Sequence, residues 1–320
     1  MTSAKSIAII GAGMAGLSCA TRLSAAGHAV DLFDKGRGPG GRMATRRAEV
    51  DGETLHFDHG AQYLTAKDKR FAKQVAEWEA AGVVARWPAA GEGAFVGVPG
   101  MNAPIKAMAA ELNVRFGKRV EAFGQSGGGW RLDGEDMPRE LFDTILVAVP
   151  AEQAGPLLTA HAPAMADIAN QAIADPCWTV MVSFAGKVDH PDIIRDAGAI
   201  GWAARNSAKP GREGSECWVV QASPDWSRAY LEDTPEAVIT LLLASMELTM
   251  GESTMRGKLP EVRHATAHRW RYARSGAAGE GALWDAETHI GACGDWLIGP
   301  RIEDAFLSGF ELAEKVLADG

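Results

Sequence analysis

No two cysteines in this chain stand close enough to make a CxxC pair: Cys19, Cys177, Cys217 and Cys293 are scattered across 320 residues. That spacing argues against a zinc site and against a disulfide framework. Cys19 is expected in a helix and Cys177 and Cys217 in strands, all as small buried hydrophobes. Any run approaching the roughly 18 apolar residues of a membrane span is missing as well. The first residues read as a short strand and a turn, not as the charged, apolar and small-residue succession of a signal peptide, so the expected location is the cytoplasm. Internal repeats and low-complexity segments are absent. The net charge is −9 with no block of like charge, which removes the electrostatic footing for a nucleic-acid partner. An acidic total still leaves room for a local basic pocket that receives an anionic ligand. Nothing in the chain reads as a metal-ligand cluster, a Ser-His-Asp order or an activated cysteine, so no metal is expected.

What remains is an ordinary globular composition, 47% hydrophobic and 23% charged, long enough for one large domain or two joined ones. Ile7 to Ile10 is a continuous apolar run, as in a strand buried on both faces. Met14 to Ala26 follows as a helix with Gly27 as its stop, and Ala29 to Phe33 as a second strand. The chain then enters the Gly-rich segment DKGRGPGGRM, which has no room for a crossover helix. Phe71, Val75 and Trp78 mark an amphipathic helix, and Met101 to Leu112 another. Strands are expected at Val114 to Phe123, Trp130 to Leu132, Thr144 to Val149, Thr179 to Phe184 and Cys217 to Ala222. A helix capped by Thr234, with Pro235 in its first turn, is expected to stop at Gly251. His289 to Cys293 reads as a strand, Gly294-Asp295 as a turn, and Glu303 to Leu317 as a closing helix. The fold class is α/β: a discontinuous Rossmann-like cofactor domain (1–65, 98–150 and 286–320) with an inserted α+β substrate domain (66–97 and 151–285).

Between the first strand and the first helix stands Gly11-Ala12-Gly13-Met14-Ala15-Gly16, a GxGxxG turn. Gly11 permits the tight turn, Gly13 lets backbone approach a pyrophosphate, and Gly16 lets helix and strand pack closely. The helix N-terminus offers free N–H groups to the phosphates. Asp34 lies 18 residues past Gly16, where a carboxylate accepts from ribose hydroxyls. NAD and FAD both fit this much. The next loop, Gly38-Pro39-Gly40-Gly41-Arg42-Met43, resembles the GGR segment of flavin amine-oxidase-like proteins, in which the Arg contacts the cofactor. In that superfamily a strand–Gly–Asp turn, here Gly294-Asp295, sets a carboxylate on the ribityl or pyrophosphate region. The helix after it, here beginning with Glu303, Asp304 and Ala305, aims its N-terminus at the flavin pyrimidine carbonyl. Three separated motifs in that order favour FAD.

Within the superfamily the chain resembles the renalases, specifically their bacterial branch. The segments that carry the resemblance are Asp58 to Tyr63, Val98 to Asn102, Trp202 to Arg212, Ala222 to Ser227, His268 to Tyr272 and Cys293 to Trp296, which together span nearly the whole chain. The resemblance implies an FAD-dependent oxidase acting on isomers of reduced NAD(P) that carry hydride at C2 or C6. It further implies transfer of that hydride to flavin N5, release of NAD(P)+, and O2 as the final acceptor, giving H2O2. Lys35, Gly41, Met43, Gly60, Ala61, Gln62 and Val120 complete the implied cofactor set.

A dihydropyridine that loses hydride becomes an aromatic cation, so no base has to remove a proton. The site needs a flat slot, excluded water and donors for the carboxamide and phosphates. Trp270 and Tyr63 are the candidate aromatic walls and His268 a polar contact. Arg205, Lys209 and Arg212 are candidates for a substrate phosphate, His59 is expected in the loop beside the flavin, and Trp178, Trp202 and Trp218 are expected in the core. Two other readings stay open: an amine oxidase or desaturase of the same fold, and a non-enzymatic binding module of the kind seen in Rab-GDP dissociation inhibitors.

Overall fold

A computed structural model describes residues 4–253 and 258–319. Apolar residues on both faces of consecutive short strands demand helices on both sides, and the amino-terminal half meets that demand. A six-stranded sheet runs in the order β16 (Leu283–Asp285), β17 (Ile290–Ala292), β10 (Thr144–Val147), β1 (Ser6–Ile10), β2 (Ala29–Asp34), β7 (Asn113–Phe116). All its pairings are parallel except β16 with β17. Ile7, Ile9, Leu32 and Leu146 face α1 (Met14–Ala25) and α9 (Ile302–Asp319). Ile10, Phe33, Ile145 and Val147 face α4 (Ala151–Leu158) and α5 (Pro163–Gln171). The crossover helix that β2 lacks is displaced to α3 (Ala103–Ala110), just before β7.

The second sheet is antiparallel, ordered β12 (Ile193–Ala197), β13 (Ile200–Arg205), β14 (Cys217–Ala222), β11 (Asp175–Phe184), β15 (Val262–Arg274). One face packs Val180, Val182, Trp218 and Val220 against Val238, Leu242 and Met246 of α7 (Pro235–Ser253). On the other lies the hairpin β3 (Thr45–Val50) and β4 (Glu53–Asp58), whose Val50, Leu55 and Phe57 meet Met181, Cys217 and Val219. Three small pieces complete the chain: α2 (Lys69–Ala80) with the hairpin β5 (Val84–Arg86) and β6 (Phe95–Gly97), the hairpin β8 (Ala122–Ser126) and β9 (Gly129–Asp133), and the short helices α6 (Pro224–Ala229) and α8 (Asp295–Ile298).

Several expectations are corrected. Residues 114–123 are not one strand, because Gly117 turns the chain at φ +69° and β8 starts only at Ala122. The strand expected to reach Val149 ends at Val147. Thr234 does receive the Ala237 N–H at 3.3 Å, but α7 continues through Gly251 to Ser253. The domain boundaries also move: residues 45–58 pack on the second sheet, α4 and α5 pack on the first, and α2 packs on α9 through Phe71 and Phe306 at 5.1 Å. No described helix is long and apolar enough to cross a membrane.

Candidate active site

Parallel strands in an open sheet leave a crevice beyond their carboxyl ends where the strand order reverses, here between β1 and β10. A cleft of about 1260 Å³ opens there. Its floor comes from the residues that follow β1, β2, β10 and β17, among them Gly11, Asp34, Ala148 and Asp295. The second sheet forms its roof with Cys177, Gln221 and the run from His268 to Arg274.

The GxGxxG turn is built by close approach. A Cβ on Gly16 would lie 2.0 Å from the Gly11 carbonyl oxygen, and one on Gly11 2.6 Å from that of Ala148. A Cβ on Gly13 meets nothing within 4 Å, because it would point into open space at the start of α1. No side chain caps that helix and no acidic residue occupies its first turn, so its N–H groups and its partial positive charge are left for an anion. Asp34 takes the Ala12 and Gly36 N–H groups at 2.8 and 2.7 Å and still faces the cleft with spare acceptor capacity.

Arg42 ties the two ends of the chain together. Its guanidinium donates to both carboxylate oxygens of Asp295, at 2.7 and 2.5 Å, and to the Ser275 hydroxyl at 3.1 Å. Its carbonyl accepts the Ala61 N–H at 2.9 Å, and only glycine fits at position 60, where a Cβ would lie 2.0 Å from that oxygen. Pro300, Ile302 and Ala305 bring the start of α9 to the wall. This set of an uncapped helix start, a Gly-lined approach, a carboxylate at the end of β2 and a guanidinium–carboxylate clasp fits FAD.

At the roof, three rings touch one another. His59 lies 5.1 Å from His268 and 5.0 Å from Trp270, and His268 lies 4.5 Å from Trp270. The Trp270 indole N–H donates to the His59 carbonyl at 2.9 Å, and Gln221 holds the Gly60 carbonyl at 2.7 Å. Burial, then the charges of His268 and Arg46, push His59 down to about 4. Burial and Arg46 likewise lower His268. Both imidazoles are therefore neutral at neutral pH. Although the chain is acidic overall, the cleft is lined by eight Lys and Arg side chains against four carboxylates.

Most of the expected cofactor residues are brought together: Gly11, Gly13, Met14, Ala15, Asp34, Lys35, Gly41, Arg42, Met43, Gly60, Ala61, Val120, Asp295 and Ala305 line one cleft with His268 and Trp270. Ala12 and Gly16 act behind the wall, through the Asp34 bond and the close packing already described. Other expected residues lie elsewhere. Tyr63 stacks on Trp202 at 5.3 Å, away from the cleft. Gln62 spans the loop beneath, bonding the Asp58 and Gly60 carbonyls at 2.5 and 3.0 Å. Glu303 turns back to accept the Lys67 and Asp68 N–H groups at 2.6 and 2.7 Å, and Asp304 pairs with Arg301 at 2.7 Å.

The basic loop is corrected outright. Arg205 is buried between Asp192 and Glu216 at 2.7 and 2.5 Å, and its Nη2 donates to both the Val188 and His190 carbonyls. Lys209 and Arg212 are buried against Asp58 at 3.3 and 2.7 Å. Burial pushes Lys209 down to about 8, while these two cations hold Asp58 below its ordinary range in spite of its own burial. All three bases are held by carboxylates, Asp58 fully buried and Asp192 partly exposed, and none lines the cleft. Lining residues that sequence reasoning missed include Lys118, Arg119, Gln221, Tyr272 and Arg274. The basic pair 118–119, next to Val120, and Tyr272, inside the 268–272 segment, left a local trace in the sequence.

The sequence profile of the flavin containing amine oxidoreductase family matches residues 79–317, and that of an NAD(P)-binding Rossmann-like domain matches residues 9–78. A stretch of 62 residues is 44% identical to a 4,4'-diapophytoene desaturase of Staphylococcus haemolyticus; it spans 19% of this chain and 12% of the desaturase. Among solved structures, a candidate protoporphyrinogen oxidase from Exiguobacterium sp. 255-15 matches with a TM-score of 0.73 and 13% identity over 100% of both chains. A putrescine oxidase bound to putrescine matches with a TM-score of 0.66 and 14% identity, over 99% of this chain and 100% of the other. At such identities the structural likeness speaks for the fold alone.

Proposed function

Because the chain belongs to the flavin containing amine oxidoreductase family and is an FAD-dependent oxidoreductase, we propose that it is an oxidase of the renalase type. Its substrates would be the 2- and 6-dihydro isomers of NAD(P), converted with O2 and a proton to NAD(P)+ and H2O2. The observation that carries this reading is the character of the cleft, where neutral aromatic rings stand at the roof and cations outnumber carboxylates two to one among the lining side chains. A protonated amine would be repelled there, whereas a neutral dihydropyridine bearing phosphates would be drawn in.

Bound FAD supplies a two-electron acceptor that O2 can regenerate. Gly13, the start of α1, Asp34, Arg42 and Asp295 would hold it. The protein's own contribution is positioning. Trp270 and His268, with ring planes 77° apart, offer an aromatic corner, and Gln221 and the Trp270 indole fix the 59–60 backbone behind them. His59 at about 4 is a poor base, which suits a reaction with no proton to remove from the substrate.

Anaerobic mixing of the FAD-loaded enzyme with 2- or 6-dihydroNAD(P) tests the reading, with rapid bleaching of the flavin absorbance as the expected result. Oxidation of simple amines, with no bleaching by either isomer, would overturn it in favour of an amine oxidase.

A further inference from the structure

Arg46 on β3 is a half-buried cation near the roof without a partner among the described residues, making neither an ion pair nor a side-chain hydrogen bond. The carboxylates of its own hairpin are all committed elsewhere. Glu49 accepts from Thr54 at 2.8 Å, Asp51 pairs with Arg263 at 3.0 Å, Glu53 accepts from Ser215 at 2.6 Å, and Asp58 pairs with Arg212 at 2.7 Å. A half-buried guanidinium left without an anion is poorly compensated by its own fold, and so is open to one from outside.

The hairpin's placement says where that anion would sit. Arg46 is opposite Phe57 in the β3–β4 register, and the Phe57 ring lies 6.3 Å from His264 of β15. The hairpin therefore lies across the face of β15 that also carries His268, and Arg46 follows the cleft-lining Arg42 and Met43 by four and three residues without lining the cleft itself. His59 follows directly after β4. It is only 5% exposed, and its Nδ1 has no hydrogen-bond partner. The Arg46 charge reaches both rings, since it lowers the pKa of each.

We infer that Arg46, with His268 and His59 beside it, is a specificity corner that receives a phosphate of the substrate at the rim of the slot walled by Trp270. This rests on the proposed function and adds to it that the enzyme selects phosphorylated dihydronicotinamides over the bare ribosyl compound. The guanidinium presents donors to the phosphate and each neutral imidazole carries no charge to repel it, with no carboxylate of the hairpin free to compete. The Arg46 contribution falls as salt rises, because the corner is only half-buried.

Arg46→Gln, Arg46→Lys and the control Arg47→Gln, an exposed neighbour on the opposite face of the same strand, distinguish the outcomes. Each FAD-loaded enzyme is mixed anaerobically with 6-dihydro isomers of NAD, NADP, nicotinamide mononucleotide and nicotinamide riboside. The half-saturating concentration and the limiting rate of bleaching are read separately, and NAD+ binding is measured by calorimetry. Arg46→Gln is expected to raise half-saturation about tenfold for the phosphorylated compounds, the worth of one charge-assisted contact, and less than about twofold for the riboside. Its NAD+ affinity falls in parallel, Arg46→Lys recovers part of the loss, and Arg47→Gln matches the parent. The three nucleotides tell a phosphate next to the nicotinamide ribose from the pyrophosphate and from the 2′-phosphate. An equal change for riboside and nucleotides, or no change for any, overturns the corner while the proposed function stands. Absence of bleaching in the parent enzyme removes the proposed function itself.

Discussion

At His59 a buried imidazole is held near pKa 4 by burial first and by neighbouring positive charge second, whereas the unfolded chain binds its proton at about 6.5. The folded form is the weaker proton binder. Its stability is therefore undiminished above about pH 6.5 and is eroded as pH falls toward 4, by roughly 3 kcal/mol from this residue at the limit. Urea unfolding at pH 7 and at pH 4.5 should show a smaller drop in His59→Gln than in the parent; an identical drop would mean that His59 is not buried in its neutral form. The same scale explains why Arg205, Lys209 and Arg212 were misread. Their partners Asp58, Asp192 and Glu216 include one some 150 positions away, so a buried ion cluster and a solvated phosphate-binding loop have the same local appearance in the sequence. By contrast the meeting of Gly11, Asp34 and Arg42 in one cleft could be read, because each placement rests on a local backbone shape or a short spacing.

Helix α1 and strand β1 approach so closely at Gly16 that the contact of an added methyl would be backbone, which cannot swing aside. Gly16→Ala should force α1 outward, at a cost of about 1–3 kcal/mol of stability together with most of the FAD affinity. Gly13→Ala, with open space before it, should keep the stability and lose affinity alone. Flavin content after purification and thermal unfolding of the FAD-free chain separate the two, and loss of stability in both variants would refute the distinction. Helix α9 shows how a motif can be placed rightly while its side chains are assigned wrongly. Its start reaches the cleft through Ile302 and Ala305, whereas Glu303 and Asp304 turn aside to fasten the 67–68 backbone and Arg301. The hairpin at 45–58 was missed although its signal is present, in alternating residues around Asp51-Gly52, both with positive φ, at 51° and 82°.

For the whole molecule, the cofactor cleft draws its walls from residues near both ends of the chain, and only the folded chain assembles them. Free FAD at 100 times its dissociation constant should stabilise the protein by about 2.7 kcal/mol and raise Tm by several degrees. Thermal scans with and without added FAD check this, and an unmoved Tm would mean that the unfolded chain binds equally well. The discontinuous architecture was legible because the Gly-rich turn and Gly294-Asp295 stand far apart in sequence and line one cleft. The boundaries were not legible, because α4, α5 and the 45–58 hairpin are amphipathic segments whose apolar faces suit either sheet. The Arg42–Asp295 clasp also imposes an order on the protein's birth. A ribosome extending the chain by 5–20 residues per second delivers Asp295 on the order of tens of seconds after the GxGxxG turn at 11–16. Throughout that interval the nascent chain carries half a cleft, so tight uptake of the flavin has to wait until Asp295 has left the ribosome and folded against Arg42.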